Sequence, residues 1–123
     1  MKRISVGAMT LEQLSDRFVA IALAQDQAIL DSEHARYNRL FDEMEVIREE
    51  LKSRPGDQRR ALLPQLKHPN AQVRLKAAIT LLAVAPEAAR QALEIIHDRK
   101  EYPQAADAFG MIRALDRGTF VPS

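Results

Sequence analysis

Three histidines and one acidic run are where this chain could do chemistry. His34, His68 and His97 are the only imidazoles. A helical metal site needs two ligands one turn apart, at i and i+3 or i+4, and no histidine here has a second at that spacing. His97 and Asp98 are adjacent, so on a helix their side chains diverge by about 100° and do not close on one ion. His97 reads instead as a cation near a helix C-terminus, where it complements the dipole. Neither a metal nor any other cofactor is expected.

The acidic run is Asn38, Asp42, Glu45 and Glu49, at steps of four, three and four. Two carboxylates a turn apart can serve as acid and base when burial raises the pKa of one. These four lie opposite an apolar seam, with Arg48, Glu50, Lys52 and Arg54 nearby. A solvated mixed-charge face, or a stripe that docks a partner, is the expected use. Ser5, Ser15, Ser32, Ser53 and Ser123 have no adjacent histidine and no strand-to-helix elbow, so no nucleophile is selected. No catalytic residue is expected, and the chain is not expected to be an enzyme.

The elements that position these residues read as helices. With 123 residues, 46% of them hydrophobic and 28% charged, the chain supports one modest core. Thr10 and Gln13 form a capping box before Leu11, Leu14, Phe18, Ile21, Ala22 and Ile29. Asp31 and Ser32 supply the next N-cap, and Tyr37, Leu40, Phe41, Met44, Ile47 and Leu51 follow as a narrow seam. Pro55-Gly56 ends that helix. Asp57 caps a third, carrying Leu62, Leu63 and Leu66 around an internal Pro64, whose expected effect is a bend. A fourth helix, about 71–84, is apolar nearly all round and should be enclosed. Pro86 and Pro103 open the fifth and sixth. Ala89, Leu93 and Ile96 face inward on the fifth, and Ala106, Phe109, Ile112 and Leu115 on the sixth.

Leu63, Leu66, Ala78, Leu81 and Val84 find counterparts in Leu93, Ile96, Phe109, Ile112 and Leu115 after a shift of about thirty residues. Each helical hairpin is too thin to bury its own apolar face, so stacking of hairpins would make the core. In such arrays the second helices line the partner-binding side. Gln72, Lys76 and Thr80 form the polar strip of the fourth helix, with Pro103, Asp107 and Met111 at the shifted positions.

The stretch Ala61-Leu62-Leu63-Pro64-Gln65-Leu66-Lys67-His68-Pro69-Asn70-Ala71-Gln72-Val73-Arg74-Leu75-Lys76-Ala77-Ala78 resembles a HEAT repeat. His68 stands where that pattern has an Asp before Pro69, so the turn lacks its own carboxylate for Arg74. From about Leu11 to Phe120, including Ala24-Gln25-Asp26 and Asn38-Arg39-Leu40-Phe41, the chain also resembles a family of small bacterial proteins known only as a domain of unknown function. The resemblance implies a HEAT-like α-α superhelix and brings no catalytic residues. It also implies, for some relatives, a role as immunity proteins beside bacterial toxins.

The expected architecture is therefore all-α, with about six helices as stacked antiparallel hairpins in a HEAT-like superhelix. Residues 1–9 would be a flexible tail, with Met9 a second candidate for the start of the chain. Residues 10–118 would be a single domain, made of a divergent hairpin (10–54) and repeats at 57–84 and 86–117, and 119–123 a C-terminal tail. Eighteen basic and 17 acidic residues leave a net charge of +1. That balance disfavours nucleic acid, despite Arg59 and Arg60 with Lys67, and Arg74 with Lys76. There is no cysteine, which fits a reducing cytoplasm. No apolar run approaches the ~20 residues of a membrane span, and the start, Met1-Lys2-Arg3-Ile4-Ser5-Val6, has no signal-peptide h-region. The function expected is non-enzymatic protein–protein interaction through Asn38, Asp42, Glu45, Glu49, Gln72, Lys76, Thr80 and Asp107. The alternatives are an immunity protein of a toxin system and a small nucleic-acid-binding protein.

Overall fold

A computed structural model describes residues 5–123. Over that range the chain is all-helical, with no strand among the described residues. The α-helices are α1 (Leu11–Leu30), α2 (His34–Ser53), α3 (Ala71–Leu81), α4 (Pro86–Asp98) and α5 (Gln104–Arg117), and two 3-10 segments cover Val6–Ala8 and Gln58–Lys67. The six expected helices are therefore all present, the third in 3-10 form. The chain divides into two compact units, Met1–Ala61 and Leu62–Ser123. No helix is long and apolar enough to cross a membrane.

In the first unit, α1 starts at the expected capping box. Thr10 Oγ1 accepts the Gln13 N–H at 3.1 Å, and Gln13 Oε1 accepts the Thr10 N–H at 2.9 Å. Leu14, Phe18, Ile21, Ala22 and Ala28 form its buried face and meet Met44, Ile47 and Leu51 of α2. The helices run antiparallel, because Arg54, just past α2, reaches back to the start of α1. Its guanidinium donates to Val6 O at 3.1 Å, Met9 O at 2.7 Å and Glu50 Oε2 at 2.8 Å. Val6 and Met9, within the expected tail, are thus hydrogen-bonded to Arg54; residues 1–4 lie outside the described residues.

Ser32 is not the N-cap of α2. It has φ 54 and closes α1, with its N–H on Ile29 O (3.2 Å) and the Glu33 N–H on Ala28 O (2.9 Å). Those two bonds satisfy carbonyls that α1 would otherwise leave open. Asp57, also at positive φ (52), does open the next segment, by accepting the Arg59 N–H at 3.3 Å. That segment is not an α-helix. Pro64 lacks the N–H of an α-ladder and its ring would crowd the carbonyl of residue 60, and residues 58–67 wind as 3-10 turns instead.

In the second unit, Asn70 Oδ1 caps α3 by accepting from Gln72 N (2.8 Å) and Val73 N (3.1 Å). Val73, Leu75, Ala77, Ala78 and Leu81 are fully buried, so the enclosed character expected of this helix is observed, although it ends at Leu81. Ala89, Leu93 and Ile96 bury the inner face of α4 as expected. Two ion pairs fix the directions. Arg74 near the start of α3 meets Glu101 just past α4, and Arg90 early in α4 meets Asp116 late in α5. The three helices therefore run down, up and down.

On α5 the buried face is Gln104, Ala105 and Ala108, with Ile112 and Leu115 half-buried. Ala106 and Phe109, expected inside, are exposed. Pro103 precedes α5 as its N-cap. The thirty-residue shift also pairs unlike environments, since Leu63 (37%) and Phe109 (43%) are exposed where Leu93 and Ala78 are fully buried. Past Gly118 (φ 70), Thr119 N and Phe120 N return to Ala114 O at 3.0 and 3.3 Å, which folds the first part of the expected tail back onto α5.

Candidate partner-binding face

The residues expected to meet a partner do not form one surface. Asn38, Asp42 and Glu49 are exposed on α2 and Glu45 is half-buried. Arg48 on the same helix pairs with Glu45 at 3.4 Å and Glu49 at 2.9 Å, so Asp42 is the carboxylate left without such a pair.

The strip on α3 is a correction. Gln72 is 1% and Thr80 4% exposed, and only Lys76 keeps partial access to solvent. Burying a polar side chain is tolerable when it is hydrogen-bonded. Gln72 Oε1 accepts from Gln104 Nε2 at 3.0 Å, and the Thr80 hydroxyl donates to Lys76 O at 2.9 Å. Gln72 joins α3 to α5, and Thr80 bonds back within α3, so neither presents a surface. Asp107 is exposed on α5, but Gln72 and Thr80 are inside, so the three are not brought together at solvent.

Two of the five basic residues considered for nucleic acid are internal as well. Arg59 is 3% exposed and donates to both Asp57 oxygens, at 2.9 and 2.7 Å. This pairing holds the Asp57 carboxyl below the usual carboxylate range. Arg74 is 8% exposed, and its two terminal nitrogens each meet a Glu101 oxygen at 2.7 Å. Its Nε donates to His68 O at 2.7 Å. The carboxylate missing from the His68-Pro69-Asn70 turn is thus supplied 27 residues along the chain. Glu101 reaches Arg74 because Lys100, at φ 55, turns the chain at the end of α4. The paired guanidinium lowers the Glu101 pKa, and the carboxylate raises that of Arg74.

A groove lies along α4 and the facing side of α5. Its volume is about 450 Å³, and it is lined by Gln91, Glu94, Ile95, His97, Asp98, Phe109 and Ile112. The His97 ring stacks on Phe109, with centroids 5.0 Å apart and planes 20° off parallel, and the Arg113 guanidinium lies 5.5 Å from the centre of the Phe109 ring. Ile95 is 40% and Phe109 43% exposed. His97 Nδ1 meets Asp98 Oδ1 at 3.2 Å, so the two neighbours touch each other. Among the described residues no group of three or more His, Cys, Asp or Glu is arranged to hold a metal ion.

Beyond Ile95 lies a second cavity of about 410 Å³, whose walls include Ile95, Lys67, His68, Arg74, Arg99 and Glu101. The first unit has its own groove of about 490 Å³ between Val6, Met9, Ile21 and Val46, where Arg17 and Glu43 meet at 3.0 Å across α1 and α2. Helical spacing alone hid the α4–α5 face, since it placed Phe109 in the core. The cue available was His97 at the end of α4, where an antiparallel neighbour offers it the first half of α5.

Residues 12–116 match the family described as a domain of unknown function, DUF2019. The chain belongs to the DUF2019 family. It is also similar to a solved structure, the crystal structure of the protein RPA1889 from Rhodopseudomonas palustris CGA009. The two share 46% sequence identity over 98% of this chain and 100% of that one, with a TM-score of 0.94. No curated protein matches the chain. The solved structure supports the all-helical fold of this DUF2019 chain.

Proposed function

We propose that this DUF2019 chain is a non-enzymatic, cytoplasmic protein–protein interaction module, and that its partner sits on the α4–α5 face. The observation that carries the reading is the exposed set Ile95, Phe109 and Arg113. Aromatic and Arg side chains dominate binding energy when a partner excludes water from them. Phe109 already contacts both His97 and Arg113, so less side-chain freedom is left to lose on binding. The absence of cysteine is in keeping with a cytoplasmic setting. A HEAT-like relationship is supported in the second unit by the antiparallel α3–α4 hairpin and the Arg74-anchored turn before it. The 3-10 form of residues 58–67 departs from that pattern.

The two alternatives have less behind them. Nucleic-acid binding through Arg59, Arg60, Arg74 and Lys76 loses Arg59 and Arg74 to buried ion pairs. Immunity to a basic toxin through α2 keeps Asp42, but Glu45 and Glu49 share Arg48.

The test is affinity capture by the tagged full chain in cells that carry the gene natively, with Phe109→Asp and Asp42→Lys in parallel. A stoichiometric protein lost with Phe109→Asp and kept with Asp42→Lys supports the reading. The reverse pattern transfers the site to α2 and sinks it.

A further inference from the structure

The two adjoining cavities of the second unit differ in their charge balance, and the difference names a partner chemistry. Every carboxylate that lines them is engaged within the chain. Glu101 accepts both Arg74 nitrogens, Glu94 lies 3.6 Å from Arg90, and Asp98 meets His97. The cations are not all engaged. Lys67 and Arg99 are exposed on the wall of the 410 Å³ cavity, and neither side chain makes a hydrogen bond or ion pair among the described residues. Arg99 feels the charge of Glu101 without pairing to it, because Arg74 takes both of that carboxylate's oxygens. The cavity therefore has two surplus positive charges. His68 adds a donor, since its Nδ1 accepts the Asn70 N–H at 3.0 Å and leaves Nε2–H as the ring's donating group.

Ile95 lines both this cavity and the groove that contains Phe109. A ligand that spans Ile95 thus meets cations on one side and, on the other, the apolar side chains Phe109 and Ile112 in a groove that Glu94 and Asp98 also line. Resting on the protein-interaction reading above, we infer that the α4 face takes a peptide segment of its partner that carries a carboxylate side chain beside an aliphatic or aromatic one. The carboxylate enters between Lys67 and Arg99, and the apolar side chain covers Ile95 and the edge of Phe109. Arg74 is not a ligand. Its pair with Glu101 builds the wall and prevents Glu101 from neutralising the other two cations.

The experiment is selection of a random heptapeptide phage library on the immobilised full chain, followed by titration of the enriched peptides into wild type, Lys67→Gln/Arg99→Gln and Phe109→Ala. Helicity by circular dichroism controls for folding; Lys67 and Arg99 are exposed, so the double variant keeps its fold. The inference expects enrichment of Asp or Glu next to an apolar residue. It also expects roughly fivefold or greater weakening with the double variant, consistent with losing two exposed charge pairs. Replacing the peptide's acid with its amide should weaken binding to wild type equally and change little for the double variant. Peptides that need Phe109 but bind the double variant undiminished would overturn the carboxylate pocket and leave the interaction reading standing. No enrichment at all would overturn both. Saturable binding of inorganic phosphate, with no acidic peptide selected, would make the cavity a small-oxyanion site and overturn the peptide.

Discussion

The two units differ in the burial of one ion pair apiece that ties α-helical elements together. In the first, the ion pair that links two helices, Arg17–Glu43, lies at the surface with side chains 52% and 46% exposed. In the second, Arg74–Glu101 is 10% and 27% exposed, forked, and tied to the backbone at His68 and Pro69. Surface pairs contribute little because water screens them and both long side chains must be ordered. A buried pair is costly to break, because the group left behind stays desolvated. The first unit joins its two long helices by apolar packing and keeps its buried pair, Asp57–Arg59, in the segment that follows them. The second depends on polar groups placed inside to fix where its connections run, and its candidate binding face is built on one of those connections.

The sharpest way to break the first unit is therefore to empty its core. Phe18 is fully buried, and Phe18→Ala should cost about 3–5 kcal/mol of unfolding free energy, read from urea denaturation. In the second unit the comparable change is a charge. Glu101→Gln leaves Arg74 without its counter-ion and should cost about 2–3 kcal/mol, discounted for the partial exposure of Glu101. Glu43→Gln in the first unit should cost less than about 1 kcal/mol by the same measurement. Equal losses for the two would remove the contrast.

Acid sharpens the same comparison. The Glu101 pKa is lowered, by hydrogen bonding to Arg74 first of all, and Asp57 is lowered likewise by Arg59. A depressed carboxylate means that the unfolded chain binds more protons, so stability rises with pH across this range. The contribution is complete above the ordinary carboxylate range and is lost as pH falls through the lowered folded values. Urea midpoints between about pH 7 and about pH 3 should decline for wild type, and less steeply for Glu101→Gln. A parallel decline would mean that Glu101 contributes nothing.

Smaller effects follow from the internal glutamines and the turn beside the face. Gln104→Ala should cost about 1–3 kcal/mol by leaving the Gln72 carboxamide short of a donor. Gln72→Leu with Gln104→Leu should recover most of that loss, because both partners are then apolar. Lys100→Gly should raise stability by up to about 1 kcal/mol, since φ 55 strains any residue with a Cβ. A loss there would mean that the lysine side chain supports the turn.

What was legible in the sequence tracks how local each determinant is. The Thr10–Gln13 box, the Asn70 turn, the core stripe of α4 and most of that of α1 depend on residues a few positions apart and are where spacing puts them, although Leu11 is exposed and Ile29 half-buried. The helix ends at Ser32 and Lys100 were not legible, because neither is the glycine that ordinarily marks a left-handed stop. The face of α5 is displaced from the expected one, with Gln104 inside and bonded to a residue 32 positions away, information that periodicity does not carry. Arg74 could be seen to lack a carboxylate in its own turn, but not that Glu101 would supply one. Of the candidate site residues, the α2 stripe was correctly placed outside. Gln72 and Thr80 were not, since a polar strip on an enclosed helix reads the same whether solvent or another glutamine satisfies it.

The most direct test of the α4–α5 face is hydrogen exchange of the full chain alone and in complex with the captured partner. Slowed exchange confined to residues 92–99 and 105–113 is the predicted footprint, with α2 unchanged. Slowing along residues 38–49 instead, with the α4–α5 amides unaffected, would contradict it.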